Sequence, residues 1–145
     1  MNNVVHRVEN KNKITQWPVH DKPHGLSVNS ACNVLVTCVK VGKIKEFTTD
    51  GKLIREITLQ SDIVHPWHTV ELTTDQFVVS HGKVGDPLHR VCIVNSAGCL
   101  LHSYGGSPGS GSGQLYVPIR LAVNGFILVA DINNHRVLML SPTLS

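Results

Sequence analysis

The 145 residues carry a formal charge of +3, with 41% hydrophobic and 16% charged side chains, a balance that sustains one globular core and excludes a chain disordered throughout. No apolar run approaches the roughly 18 residues of a membrane-spanning helix, and the polar start MNNVVHRVENKNK lacks the apolar stretch of a secretory leader, so a soluble, cytoplasmic protein is expected. Nine of the thirteen Lys and Arg residues fall in the first 55 positions, which points to a weakly basic face rather than an evenly charged surface.

The amino end, VVHRVENKNKITQWPV, reads as strand, turn, strand, with Asn10-Lys11-Asn12 as the turn. From Lys22, KPHGLSVNSACNVLVTCV gives a proline, a short apolar strand, a polar turn and a stronger strand; KIKEFTTDGKLIREITL from Lys43 adds two more strands around Asp50-Gly51. The same frame returns as HPWHTVELTTDQFVVSHG from His65 and HRVCIVNSAGCLLHSYG from His89, turning at Asn95-Ser96-Ala97-Gly98. It begins again as VPIRLAVNGFILVADI from Val117, followed by HRVLMLSPTLS from His135. Pro23, Pro66 and Pro118 lie 43 and 52 residues apart, the period of a four-stranded propeller blade rather than of a helical repeat.

Gly and Asn in the turns suit tight hairpins because they accept positive φ cheaply. No segment sustains a 3.6-residue apolar period, so helix does not compete. The expected architecture is all-β: a partial propeller of about three and a quarter blades, with strands counted as two, four, four and three. Residues 1–21 end one blade, 22–64 and 65–115 form two complete blades, and 116–145 form an incomplete one. Such an open array leaves strand edges unpaired, so the sequence is expected either to be a fragment of a longer chain or to close by self-association.

The stretch GGSPGSGSGQLYVP, residues 105–118, holds five glycines and three serines. It lacks the Gly-Lys-Ser/Thr ending of a nucleotide-binding loop, and the repeat continues through it, so it is expected to join the fourth strand of one blade to the first of the next. Cys32, Cys38, Cys92 and Cys99 match neither a CxxC pair nor a zinc-finger ladder, and reduced thiols are expected.

The last copy, YVPIRLAVNGFILVADINNHRVLMLS, resembles the NHL repeat: a proline, a "LAV" strand, a glycine turn, "ILVAD", then "NNHRV" and an apolar strand, preceded by "GSGQL" at the joint. The match is specific over residues 104–141 and weaker but in phase over 22–104. The resemblance implies an NHL β-propeller, most often of six blades, like the carboxy-terminal part of tripartite-motif proteins. There it serves as a recognition module for protein or RNA, behind RING and B-box zinc domains that these residues do not contain. Asp131 of the last copy is matched by His81 and Cys38, and Arg136 by Arg90 and Lys43. An Asp131–Arg136 pair across the turn is therefore expected in the last copy alone.

In propellers the blade joints and the turns between second and third strands emerge on one face. That frame places Lys22, His24, Lys40, Lys43, His65, Trp67, His68, Lys83, His89, Arg90, Arg120 and Arg136 on or near it, with Asp21, Asp62, Asp86 and Asp131. Cations with histidines and an aromatic ring suit a single-stranded nucleic acid, phosphates meeting charge and bases meeting a flat ring. A protein partner stays open beside single-stranded RNA, and packing or solvation is the favoured reading of each residue taken singly. His65-Pro-Trp-His68 offers two potential metal ligands without a third, which defines no metal site. No catalytic residue and no cofactor is expected. The alternative is a propeller enzyme similar to the amidating lyases, with a metal in the central channel, but no nucleophile with an oriented base is recognisable.

Overall fold

The structure is a computed structural model that describes residues 3–144. Its thirteen strands form four antiparallel sheets in chain order. The first pairs β1 (Val4–Asn10) with β2 (Lys13–Pro18). The second is the meander β3 (Pro23–Val28), β4 (Val34–Cys38), β5 (Lys43–Phe47) and β6 (Leu53–Thr58). The third repeats it with β7 (Pro66–Thr73), β8 (Gln76–His81), β9 (His89–Asn95) and β10 (Leu100–Gly106). The last holds β11 (Pro118–Val123), β12 (Ile127–Asp131) and β13 (Arg136–Leu140), with a single 3-10 turn at Ile132–Asn134 between the last two. The strand count read from the repeats is the one observed.

Strands β4 and β8 carry adjacent apolar residues because each of their sheets lies between two others, and alternate side chains point to opposite faces. On β4, Leu35 joins Ile44, Ile57, Phe77, Val79 and Val94 between the second and third sheets. Its neighbour Val36 joins Trp17, Val19 and Phe47 between the first and second. On β8 the alternation repeats, with Phe77 and Val79 facing back and Val78 facing forward to Leu115, Leu121, Ile127 and Val129. Burying a side chain such as Phe77 contributes about 2–3 kcal/mol, so the stack of sheets, not any single sheet, is the stable unit.

The first strands lie side by side, β3 and β11 both packing on β7. Gly25 is required there: a Cβ on it would sit 2.5 Å from the Trp67 carbonyl oxygen and 2.9 Å from the His68 Cα. The glycine-rich stretch after β10 runs to β11, joining an outermost strand to the next innermost one as expected. The four cysteines are unpaired, Cys38 and Cys92 buried on strands, Cys32 and Cys99 exposed in turns. No helix among the described residues is long and apolar enough to cross a membrane.

Candidate functional site

Each joint is fastened by a cation from the third strand of the sheet it borders. In the last sheet Arg136 donates Nε–H to Asp131 at 2.8 Å and its other nitrogens to the carbonyls of Ser110 and Gln114 at 3.2 and 2.6 Å. Asp131, fully buried, also accepts the Tyr116 amide at 2.7 Å and the Asn134 side-chain amide at 2.7 Å. The expected pair thus forms, and it pins the glycine-rich joint. In the third sheet Arg90 reaches the carboxylate and carbonyl of Asp62 at 2.9 and 3.3 Å. In the second sheet the clamp is Lys45, which donates to the Val19 carbonyl at 2.8 Å and pairs with Asp21 at 2.5 Å and Glu56 at 3.2 Å. Burial opposes the charge on Lys45, but Asp21 and Glu56 outweigh it and hold the ammonium above its ordinary pKa. Repeat phase aligned Lys43 with Arg90 and Arg136 and passed over Lys45; the available signal was a lysine between Ile44 and Glu46 in the short strand KIKEF, which does not by itself mark a buried cation.

These clamps sort the twelve residues read from sequence. Arg90 and Arg136 are engaged as described, and Lys43 pairs with Glu56 at 3.2 Å. His68 is a buried bridge between inner strands, donating Nε2–H to the Leu26 carbonyl at 3.0 Å and accepting the Leu121 amide on Nδ1 at 3.1 Å. Burial first, and the charge of Arg120 next, push its pKa below the ordinary histidine value. His89, fully buried, accepts the Val117 amide on Nδ1 at 2.9 Å and packs its ring on Tyr116. Its Nε2 finds no partner among the described residues. Arg120 is exposed on β11.

The remaining six come together. Lys22, His24, Lys40, His65, Trp67 and Lys83, with Val39, line one groove of about 270 Å³ between the second and third sheets. Lys40 also borders two adjoining depressions, of about 260 and 380 Å³, the second shared with Lys22. Lys22, Lys40 and Lys83 are exposed, and no carboxylate among the described residues lies within ion-pairing distance of them. The acids on this face are spent elsewhere: Asp21 on Lys45, Asp62 on Arg90, Asp131 on Arg136 and Asp86 on His65.

Trp67 forms part of the groove wall, donating its indole N–H to the Gly82 carbonyl at 2.8 Å. The His24 ring packs on it at 4.7 Å between centroids, and His24 Nδ1–H donates to the Trp67 carbonyl at 3.1 Å. His65 donates Nδ1–H to Asp86 Oδ2 at 2.7 Å, and the same oxygen accepts the Lys83 amide at 2.8 Å. Burial alone would raise the Asp86 carboxyl, but the Lys83 amide and the His65 ring outweigh it and hold its pKa below the ordinary value. Among the described residues no group of three or more His, Cys, Asp or Glu is arranged to hold a metal ion.

No protein-family model and no curated protein sequence matches the chain. Solved structures do. Virginiamycin B lyase from Staphylococcus aureus superposes with a TM-score of 0.69 at 14% identity, over 97% of this chain and 46% of that one. A streptogramin B lyase structure gives a TM-score of 0.70 at 17% identity, over 97% and 45%. A catalytically inactive virginiamycin B lyase from S. aureus with quinupristin gives 0.60 at 18%, over 97% and 49%. The fold is a partial β-propeller. Identities this low carry the fold alone, and the chain spans about half the length of the solved structures it matches.

Proposed function

We propose that this partial propeller is of the NHL type and serves as a recognition module whose joint-side groove takes single-stranded RNA, as in the propellers of tripartite-motif proteins. The observation that carries the reading is the grouping of Lys22, Lys40 and Lys83, all without a carboxylate partner, around the Trp67 wall. Unpaired ammonium groups lose little by exchanging water for phosphate oxygens, and releasing counterions from the nucleic acid drives the association. A half-buried indole beside them offers a flat edge to an unstacked base, which a duplex does not present. The twelve residues read from sequence narrow to these six, because the others are held within the fold or, as with Arg120, do not line the groove. The test is fluorescence anisotropy of a labelled single-stranded RNA titrated with the protein. Replacing Lys22, Lys40 and Lys83 together by Ala should weaken binding by one to two orders of magnitude at low salt; an unchanged affinity would remove the basis for the RNA reading.

A further inference from the structure

Two imidazoles enter the groove held in the same way. His65 is fastened through Nδ1 to Asp86 and His24 through Nδ1 to the Trp67 carbonyl. In each ring Nε2 is the nitrogen left without a partner among the described residues, and both rings line the groove with the three lysines. The two approach from different sheets, His24 on β3 and His65 at the joint leading into β7. The His65 ring is fixed through a carboxylate that is itself held by the Lys83 amide. Its backbone sits at φ 49°, a left-handed conformation in which Asn, Asp and His are the enriched side chains.

From this constellation we propose that the groove cleaves the single-stranded RNA it holds, His65 and His24 exchanging protons with the ribose and the leaving oxygen. The proposal rests on the RNA reading above. His65 Nε2 takes the proton of a ribose 2′-hydroxyl, and Asp86 stabilises the imidazolium that forms. The 2′-oxygen bonds to the adjacent phosphorus as the bond from phosphorus to the 5′-oxygen breaks, and that oxygen receives the proton from protonated His24 Nε2. The products are a 2′,3′-cyclic phosphate and a free 5′-hydroxyl. Nothing is oxidised or reduced, and solvent restores the two histidines to their starting protonation states. Lys22, Lys40 and Lys83 face the negative charge that gathers on the phosphoryl oxygens in the transition state.

The experiment compares one short single-stranded RNA with its 2′-deoxy counterpart, both labelled, measuring binding and strand cleavage separately in the presence of EDTA. The RNA should be bound and cut to a cyclic phosphate end, with a bell-shaped dependence of rate on pH; the 2′-deoxy strand should be bound and left intact. His65→Asn, chosen because Asn tolerates the left-handed backbone, and His24→Ala should each slow cleavage of the bound strand by about 100-fold or more, measured in single turnover at protein concentrations that saturate the RNA for each variant. RNA bound but uncut by the unaltered protein would overturn the proposal and leave the recognition reading standing. Cleavage at an unchanged rate in both variants would also overturn it, and absence of binding would overturn both readings.

Discussion

Arg90 donates Nε–H to Nε2 of His81 at 3.0 Å, at the place in its sheet where Arg136 donates to Asp131. The registers coincide, His81 facing Arg90 and Asp131 facing Arg136 across neighbouring strands. A neutral imidazole thus replaces a carboxylate, and the negative charge is supplied by Asp62 at the joint. The other ring nitrogen of His81 donates to the Val64 carbonyl at 3.1 Å, which fixes the tautomer.

This arrangement makes stability depend on pH. Burial first, then the Arg90 charge, depress the His81 pKa to about 4, against about 6.5 in an unfolded chain. The folded state therefore holds the proton less tightly than the unfolded one. The stabilising contribution is complete above about pH 6.5 and is lost as pH falls from there through 4, amounting to about 3 kcal/mol. His68, also depressed, acts in the same direction. Urea denaturation at a series of pH values should show stability falling on acidification, and His81→Gln, which keeps an acceptor for Arg90 and a donor for Val64, should fall less steeply. Equal slopes would show that His81 does not carry the effect.

The carboxylate version of the same position responds to substitution instead. Asp131 accepts from the Tyr116 amide, Asn134 and Arg136 while fully buried. Asp131→Asn turns one acceptor into a donor among donors and leaves the guanidinium without its counter-charge, an expected loss of about 3 kcal/mol. Arg136→Lys keeps the charge but forfeits the fork that spans Asp131, Ser110 and Gln114, and should cost about 1 kcal/mol. Chemical denaturation of the two variants should therefore rank Asp131→Asn as the more damaging.

The fold was legible in the sequence for a physical reason. Prolines at the start of inner strands, glycine or asparagine in the turns and middle strands with adjacent apolar residues that bury both faces are each forced by stacked sheets, and the VLV of β4 and the FVV of β8 show the last feature directly. The Asp131–Arg136 pair was legible too, since the residues lie close in sequence across one short turn. The clamps of the other joints were not. Asp62 meets Arg90 across 28 residues, and Lys45 rather than the in-phase Lys43 reaches Asp21. Which cations stay unpaired is decided by how closely a joint passes a strand, a distance that repeat phase does not contain. The groove itself depends on β3 and β7 meeting at Gly25, which brings His24 to Trp67 across 43 residues.

The unpaired lysines predict a salt dependence as well as an affinity. Each phosphate neutralised on a single strand contributes about 0.7 to the slope of log affinity against log salt. Removing Lys22, Lys40 and Lys83 together should reduce that slope by about 2 if each meets one phosphate. Lys52, exposed at the turn between β5 and β6 and outside the groove, is the matching control. Lys52→Ala should leave the slope unchanged; a slope lowered by the same amount per lysine removed in both would indicate attraction to overall charge rather than to the groove.

Thiol chemistry reads the stacking of the sheets independently of any ligand. Cys92 lies on β9 within the core between the second and third sheets, and burial pushes its thiol pKa up to about 12. Cys38, at the end of β4, is raised to about 11, again chiefly by burial, with Lys45 partly opposing it. Thiolate is the reactive form, so both should be inert while the sheets stay packed. Cys32 and Cys99, in exposed turns, are open to reagent. A disulfide reagent at pH 8 should modify Cys32 and Cys99 promptly in the folded protein, and Cys38 and Cys92 only after denaturant is added. Prompt modification of Cys92 would mean that the second and third sheets separate readily. In that case the groove between them, with Lys40 on one side and Lys83 on the other, would lack the rigidity that the proposed recognition and proton transfer require.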